Sequence, residues 1–451
     1  MYQLNSTDYE FFKDIDSHNS IVGNIAILSN KNNQNIKNTI IQNIKKNINS
    51  SIIHSHKIIA NPIIGDYPFL IKDKDINLNN HVFEHHCNGS EDEAGKIFKD
   101  IISSPLNIAI PLWQTDIVYN VNKEKDTAII RRYHHCLGDS DAHENVHNLL
   151  FDNYDKKQVK NKNNPNKFNS YINHFYKIIN SYVLLIYGFI FKVNKCKKDY
   201  TIDKKEIYKG IFRSKKHKKN TIAFFSYDIS HIEQMLEKND ISRLDLCLYA
   251  TSYMYNALLT NPDNKTILSM FPISYRGKKD HNHNNMVTAA KVNLHLSEKD
   301  NLKKFLIIKK EIKDKIQTIK HGPHMVYDKA FTGDPRMKKF KRNWDVFIKG
   351  NWHNRTKVYT KDSNPAPIST TTSFKNCDLQ EYTIDNLPIK NVYNFSMISR
   401  TIASIGCSIS YRCYGNRVNV GIIHSSDLYP NIELFESSFI NCIKNLEEIL
   451  K

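Results

Sequence analysis

A two-lobed α/β architecture is the fold this sequence predicts, and three observations predict it. At 451 residues the chain outgrows one ordinary hydrophobic core, because single cores stop growing at about 250–300 residues. Strand-like runs rich in β-branched residues alternate with helix-like runs along most of its length. Between 156 and 220 that pattern gives way to a low-complexity, basic stretch. The expected division is therefore an N-terminal lobe over 1–155, a linker with an apolar helix and a polybasic segment over 156–220, and a C-terminal lobe over 221–451. With 40% hydrophobic and 11% aromatic residues, the chain has the material to fill both cores.

The elements follow in order. Leu4 to Asp8, followed by Phe11 and Phe12, reads as a capped first helix, since Ser or Thr before an acidic first turn satisfies orphan amides. Gly23 to Leu28 reads as a strand. Ile36, Ile40, Ile44 and Ile48 recur at helical spacing and predict an amphipathic helix over Asn35 to Ile48. Asp75 to Val82 leads toward a further helix that opens at Ser90, where Glu93 completes a capping box, and runs through Ile97 and Ile101. His81 and His85 have the i, i+4 spacing that metal sites use. The segment does not read as a helix, however, and no carboxylate sits suitably nearby in the sequence, so a structural or solvent-exposed role is expected there.

Trp113 to Val121 and Asp126 to Tyr133 read as two strands joined by Asn122 to Lys125, the second of them pleated and half-buried. Their hairpin delivers His134 and His135 to its end. Gly138, Asp139 and Ser140 then make a turn ahead of a helix over Glu144 to Phe151. Farther on, Ile178 to Phe191 is a fourteen-residue run without charge, short of the ~20 residues that span a bilayer. Lysines from Lys195 to Lys219 follow it. The pair fits an interfacial helix on an anionic membrane, or equally a packed inter-domain helix with a solvated basic loop.

Thr221 to Tyr227, Ile267 to Arg276, Asn285 to Leu296 and Ile368 to Phe374 read as strands, and Leu244 to Leu259 and Asp300 to Lys320 as helices. Ser404 to Cys413 and Val418 to Ile423 make a hairpin with Gly415 at its turn, and an amphipathic helix ends at Leu450. His321 to Pro367 carries no assignment.

Bulk properties narrow the function. A net charge of +18 favours polyanionic partners, although Asn, Lys and Ile are in excess throughout and the charge is also a property of that composition. Nucleic acid is disfavoured, because stacking aromatics are not interleaved with the basic stretch. The eight cysteines are scattered without a C-x-x-C, which points away from a zinc ribbon or a disulfide framework. The opening Met1 to Ser6 lacks a basic flank and an apolar run, so no secretory signal and a reducing, cytosol-facing location are expected.

Arg131-Arg132-Tyr133-His134-His135-Cys136-Leu137-Gly138-Asp139-Ser140 is where residues suited to chemistry concentrate. A His at a strand end followed by a tight turn is held rigidly while its ring faces a cleft, as a general base requires. Cys136, beside that base, is the rival as a nucleophile.

The string HHCLGDS resembles the HHxxxDG signature of the wax ester synthase/diacylglycerol acyltransferase family, whose fold is shared with chloramphenicol acetyltransferase and peptide-synthetase condensation domains. Pro111-Leu112-Trp113 is similar to that family's PLW motif, Leu244-Asp245-Leu246 to its NDV helix, Pro272 to Arg276 to its PVSxR strand, and Leu428 to Asn431 to its closing DLVPD. The resemblance runs from about Leu4 to the C-terminus. It implies a chloramphenicol acetyltransferase-like fold with a channel between lobes. It also implies transfer of a fatty acyl group from acyl-CoA to a long-chain alcohol or diacylglycerol, without cofactor or metal, at a membrane or lipid-droplet surface such as that of the endoplasmic reticulum. Under it His135 is the general base and His134 a structural or hydrogen-bonding neighbour. Asp139 fixes the loop, with Arg276 as its partner by motif position, and Gly138 and Ser140 support that loop. Ser140 stands where the family has Gly, and the Pro-Gly of its SNVPGP segment is missing near Ile368 to Phe374. A positive φ at 140 would strain a Ser. A condensation-type enzyme with a small polar acceptor, or a non-catalytic lipid- or CoA-binding descendant, are the alternatives.

Overall fold

The computed structural model describes residues 2–4, 8, 11–12, 20–29, 36–48, 51–59, 68–148, 150–152, 220–258, 267–274, 283, 285, 287–320, 368–376, 382–397, 407–425 and 433–450. The linker 156–219, with its apolar run and polybasic segment, lies outside them, as do Arg276, the segment 321–367 and Leu428 to Asn431.

Two six-stranded sheets carry the molecule. The first has the order β12-β13-β2-β7-β6-β5, formed by Thr383–Ile384, Leu387–Ser396, Ile21–Leu28, Thr127–His134, Trp113–Tyr119 and Val82–His86. The second has the order β10-β9-β11-β14-β15-β8, formed by Val287–Asn293, Leu268–Ser274, Ile368–Asn376, Cys407–Tyr414, Arg417–Ser425 and Asn220–Asp228. A small sheet joins β1 (Tyr2–Gln3), β4 (Phe69–Lys72) and β3 (His56–Ile59).

The predicted helices form because their apolar spacing meets these sheets. Helix α1 (Ile36–Asn47) buries Ile36, Ile40 and Ile44 completely. Helix α2 (Glu91–Ser103) begins where expected but without the predicted capping box. The Asn88 side chain takes the Ser90 N–H at 2.9 Å, and Glu93 reaches past it to the Asn88 N–H at 2.8 Å. An Asx turn thus occupies the donor that the box would have used. Among the described residues, α3 (Ser140–Asn148), α4 (Ser230–Lys238), α5 (Arg243–Leu258), α6 (Asn301–Lys320) and α7 (Glu433–Leu450) are the other helices of more than one turn, and Ile52–Ser55 forms a single turn between α1 and α2. Among the described residues, no helix is long and apolar enough to cross a membrane.

Two hydrophobic cores correspond to two lobes. One gathers Ile25, Ile40, Ile102, Ile117, Ile129 and Leu150, the other Leu246, Tyr249, Phe305, Ile409, Phe435 and Phe439. The chain does not divide cleanly between them. Residues 383–396 come late in the sequence yet complete the first sheet, β13 lying antiparallel to β2 with Val392 opposite Ala26. There β13 also crosses the second sheet. A Cβ at Gly421 would lie 2.1 Å from the Asn394 carbonyl oxygen, so only glycine admits that approach.

Strand β7 is the centre of the first sheet. The expectation of a half-buried strand is corrected, since all eight of its residues are buried. It lies between β2 and β6 with both faces covered, and this demands partners for its two guanidinium groups. Arg132 donates to the Ser104 carbonyl at 2.6 Å and to its hydroxyl at 2.8 Å, with Asp116 at 3.7 Å. On the opposite face, Arg131 packs over the Tyr133 ring with its Nη2 3.4 Å from His54 Nε2.

Candidate active site

The loop after β7 is built from backbone hydrogen bonds. His134 N donates to the Leu112 carbonyl at 3.1 Å, and His135 N to that of Ser20 at 2.7 Å, fixing the strand end to two neighbours. A 3-10 turn over His135–Leu137 closes with Gly138 N donating to the His135 carbonyl. Gly138 then takes φ +152° and ψ 173°, a region essentially reserved for glycine. A Cβ there would meet the His283 carbonyl oxygen at 2.1 Å and the Ala142 Cβ at 2.7 Å.

Asp139, 1% exposed, caps α3. Its Oδ1 accepts from Ala142 N at 2.9 Å and its carbonyl from His143 N at 2.9 Å. Ser140 is the first residue of α3, is exposed, and is not among the residues with positive φ. The strain expected at Ser140 is therefore absent, because the conformation that needs glycine falls two residues earlier. Arg276, the expected partner of Asp139, lies outside the described residues.

His135 itself is half-buried, with its Nδ1 edge sealed from solvent. The Phe11 ring lies flat against it, centroids 3.8 Å apart and planes 5° apart. Its carbonyl accepts from Asn285 Nδ2 at 2.7 Å. Burial lowers the pKa of its ring below the ordinary histidine value, against smaller opposing effects of its own carbonyl, the Asp139 charge and Asn285. The imidazole is thus neutral at pH 7, the form that accepts a proton.

His134 points elsewhere. Its Nδ1 is 2.9 Å from Cys136 Sγ and accepts from Cys136 N at 3.3 Å. Cys136 is 1% exposed, and burial, reinforced by the nearby Asp8 charge, pushes its thiol well above the usual cysteine range. A thiol so held is a poor nucleophile. The other histidines of interest are also occupied. His81 stacks on Trp113 at 4.1 Å and bonds the Trp113 carbonyl, while His85 Nε2 lies 2.9 Å from Asp116, a carboxylate brought in by strand pairing rather than by sequence proximity.

Helix α3 joins the histidine loop to the second sheet. Glu144 takes a bidentate pair from Arg412 on β14, at 2.7 and 2.8 Å, and Arg412 Nη1 also donates to Asn394 on β13 at 3.1 Å. Asp141 accepts from the Ser274 hydroxyl at 2.6 Å and pairs with Lys375. None of Phe11, Glu144 or Arg412 stands out in the sequence as belonging to this site.

This loop lies within the part of the chain that a family pattern covers. Residues 4–172 match the wax ester synthase/diacylglycerol acyltransferase catalytic domain. The expected resemblance to that family is thereby shown over this stretch, and the family is one of acyltransferases. No curated protein matches the chain in sequence. Solved structures extend the likeness in fold to the whole chain. The wax ester synthase/diacylglycerol acyltransferase from Marinobacter aquaeolei VT8 superposes with a TM-score of 0.64 at 13% identity, covering 100% of both chains. The starter condensation domain of rhizomide synthetase, in complex with C8-CoA and Leu-SNAC, gives 0.60 at 9% identity over 100% of this chain and 94% of its own. The condensation domain from Monacolin K polyketide synthase gives 0.59 at 9% over 98% and 96%. The fold is accordingly the two-lobed, chloramphenicol acetyltransferase-like one.

Proposed function

We propose that the chain is an O-acyltransferase that moves a fatty acyl group from acyl-CoA to a long-chain alcohol or diacylglycerol, with His135 as general base. The observation that carries this reading is a neutral, rigidly held imidazole at the end of the central strand, inside the family-matched stretch. The Nδ1 edge is sealed from solvent, which leaves Nε2 as the nitrogen an acceptor would reach, so we assign the proton to Nδ1 and the basic lone pair to Nε2.

The alcohol gives its proton to Nε2 as its oxygen attacks the thioester carbonyl. The C–S bond then breaks, and coenzyme A leaves as a thiolate that takes the proton back from the imidazolium. A thiol pKa of about 8.5, by analogy with cysteine, makes that leaving group good enough to need no separate acid. Asp139 acts by capping α3, with Arg276 the proposed ion-pair partner, and His134 by bracing the turn. The proposed division is a lobe over 1–155, a linker over 156–220 and a lobe over 221–451, with Thr383–Ile384 and Leu387–Ser396 of the last crossing to complete the first sheet, and the apolar and polybasic linker is the proposed contact with a lipid surface.

A second reading, a small polar acceptor, is favoured by the likeness to condensation domains, one of them in complex with C8-CoA. Both readings are tested by following lipid product from labelled palmitoyl-CoA with hexadecanol and, separately, dioleoylglycerol, in the parent and in a folded His135→Ala variant. Ester made by the parent and lost in the variant supports the proposal. Turnover that needs no liposomes and uses only polar acceptors supports the second reading, and turnover retained in His135→Ala removes His135 as base.

A further inference from the structure

The segment before β2 touches the histidine loop twice. Phe11 covers one face of the His135 imidazole in a near-parallel stack. Three residues earlier, Asp8 Oδ1 accepts from Asn285 N at 2.8 Å and from Asn285 Nδ2 at 2.9 Å. That same amide nitrogen donates to the His135 carbonyl at 2.7 Å. Asp8 and Asn285 are 3% and 1% exposed, so this bridge is buried where water does not compete for it.

We infer that Asp8 and Phe11 together act as a strap that positions the base, Phe11 fixing the plane of the His135 ring and closing one of its faces to water, and Asp8 orienting the amide that holds its backbone. This inference rests on His135 being the base. An imidazole free to rotate about χ1 and χ2 loses alignment with an incoming hydroxyl, whereas a ring clamped between a stacked aromatic and a tethered carbonyl has one orientation. The basic lone pair lies in the ring plane, so the plane that Phe11 fixes sets the direction along which the acceptor hydroxyl must approach. Water filling the space left by a lost Phe11 ring would compete for that edge, giving fatty acid and coenzyme A from the thioester instead of ester. Phe11 and Asp8 are thus positioning residues that also decide between transfer and hydrolysis.

The test compares Phe11→Ala, Phe11→Leu and Asp8→Ala with the parent, all as the full chain. Turnover of palmitoyl-CoA with hexadecanol should fall roughly ten- to hundredfold in kcat for Phe11→Ala, with KM little changed. The ratio of free palmitate to ester should rise. Phe11→Leu, which keeps the apolar cover but loses the stack, should fall between. A readout independent of activity is the titration of His135 in protein labelled at histidine Cε1, assigned by its loss in His135→Gln. Among the described residues, Asp139 on its own loop is the charge that acts on this ring, and Asp8 meets it only through Asn285; both are retained in Phe11→Ala. Removing the ring should therefore move the His135 pKa up toward the ordinary ~6.5. An unchanged titration and an unchanged palmitate-to-ester ratio in Phe11→Ala would overturn the strap, even if His135→Ala abolishes turnover. Full turnover in His135→Ala would instead remove the reading on which the strap rests. Should Phe11→Ala fail to fold, the same two readouts on Phe11→Leu decide the matter.

Discussion

Gly138 and Ser140 make a paired test of where the histidine loop needs glycine. Gly138→Ala would place a methyl group 2.1 Å from the His283 carbonyl oxygen and 2.7 Å from the Ala142 Cβ, on a backbone at φ +152°. The dihedral strain costs about 1–3 kcal/mol. Forcing the neighbours apart adds about 1–3 kcal/mol, so a loss of roughly 2–6 kcal/mol is expected. Ser140→Gly, in contrast, alters an exposed first-turn helix position with no φ to relieve. It should be neutral or destabilising by up to ~1 kcal/mol, through the backbone entropy that glycine loses on folding. Urea unfolding followed by circular dichroism at fixed pH measures both. A Gly138→Ala midpoint equal to the parent's, or a clear stabilisation by Ser140→Gly, would refute the assignment of the glycine requirement to position 138.

Four further outcomes are expected. Arg412→Met should cost about 3–5 kcal/mol by leaving Glu144 facing an apolar group, and Arg412→Met combined with Glu144→Leu should recover most of it; urea midpoints of the four proteins make the cycle. Cys136→Ala should keep the parent's acyl transfer, and Cys136 should resist iodoacetamide at pH 7.5 in the folded protein, as read by mass spectrometry. His54, His81 and His135 all have pKa values lowered by burial, so below about pH 6.5 the unfolded chain binds more protons than the folded one. Stability should accordingly fall as pH drops from about 6.5 toward the depressed folded values, and His54→Gln should flatten that slope. If catalysis uses neutral His135, the acid limb of kcat/KM should lie below about 6.5 in the parent.

Local signals made much of this legible. Isoleucines at helical spacing placed α1, the two β-branched runs around Asn122 to Lys125 placed β6 and β7, and Gly415 placed the β14–β15 turn. The histidine pair fell at a strand end as its neighbours implied. What escaped depends on contacts between distant residues. Nothing near Leu387 to Ser396 says that it will pair with Ile21–Leu28 rather than with the strands that follow it. Arg412 and Glu144, or Phe11 and His135, carry no local mark of meeting, since side-chain pairing between residues distant in sequence leaves no period in it. The φ requirement was placed at Ser140 by motif position, whereas the close approach of His283 to Gly138 is a tertiary fact.

The late arrival of β13 bears on how the protein is made. Ala26 must wait for Val392 before the edge of β2 is covered. At about 5–20 residues per second of synthesis, that wait is roughly 20–70 seconds. Throughout it the nascent first lobe presents an unpaired, apolar strand edge, Ile25 to Leu28, to its surroundings. Ribosome-bound chains truncated before residue 383 should therefore remain protease-sensitive and chaperone-bound, becoming resistant only when the stretch through Ser396 has left the exit tunnel.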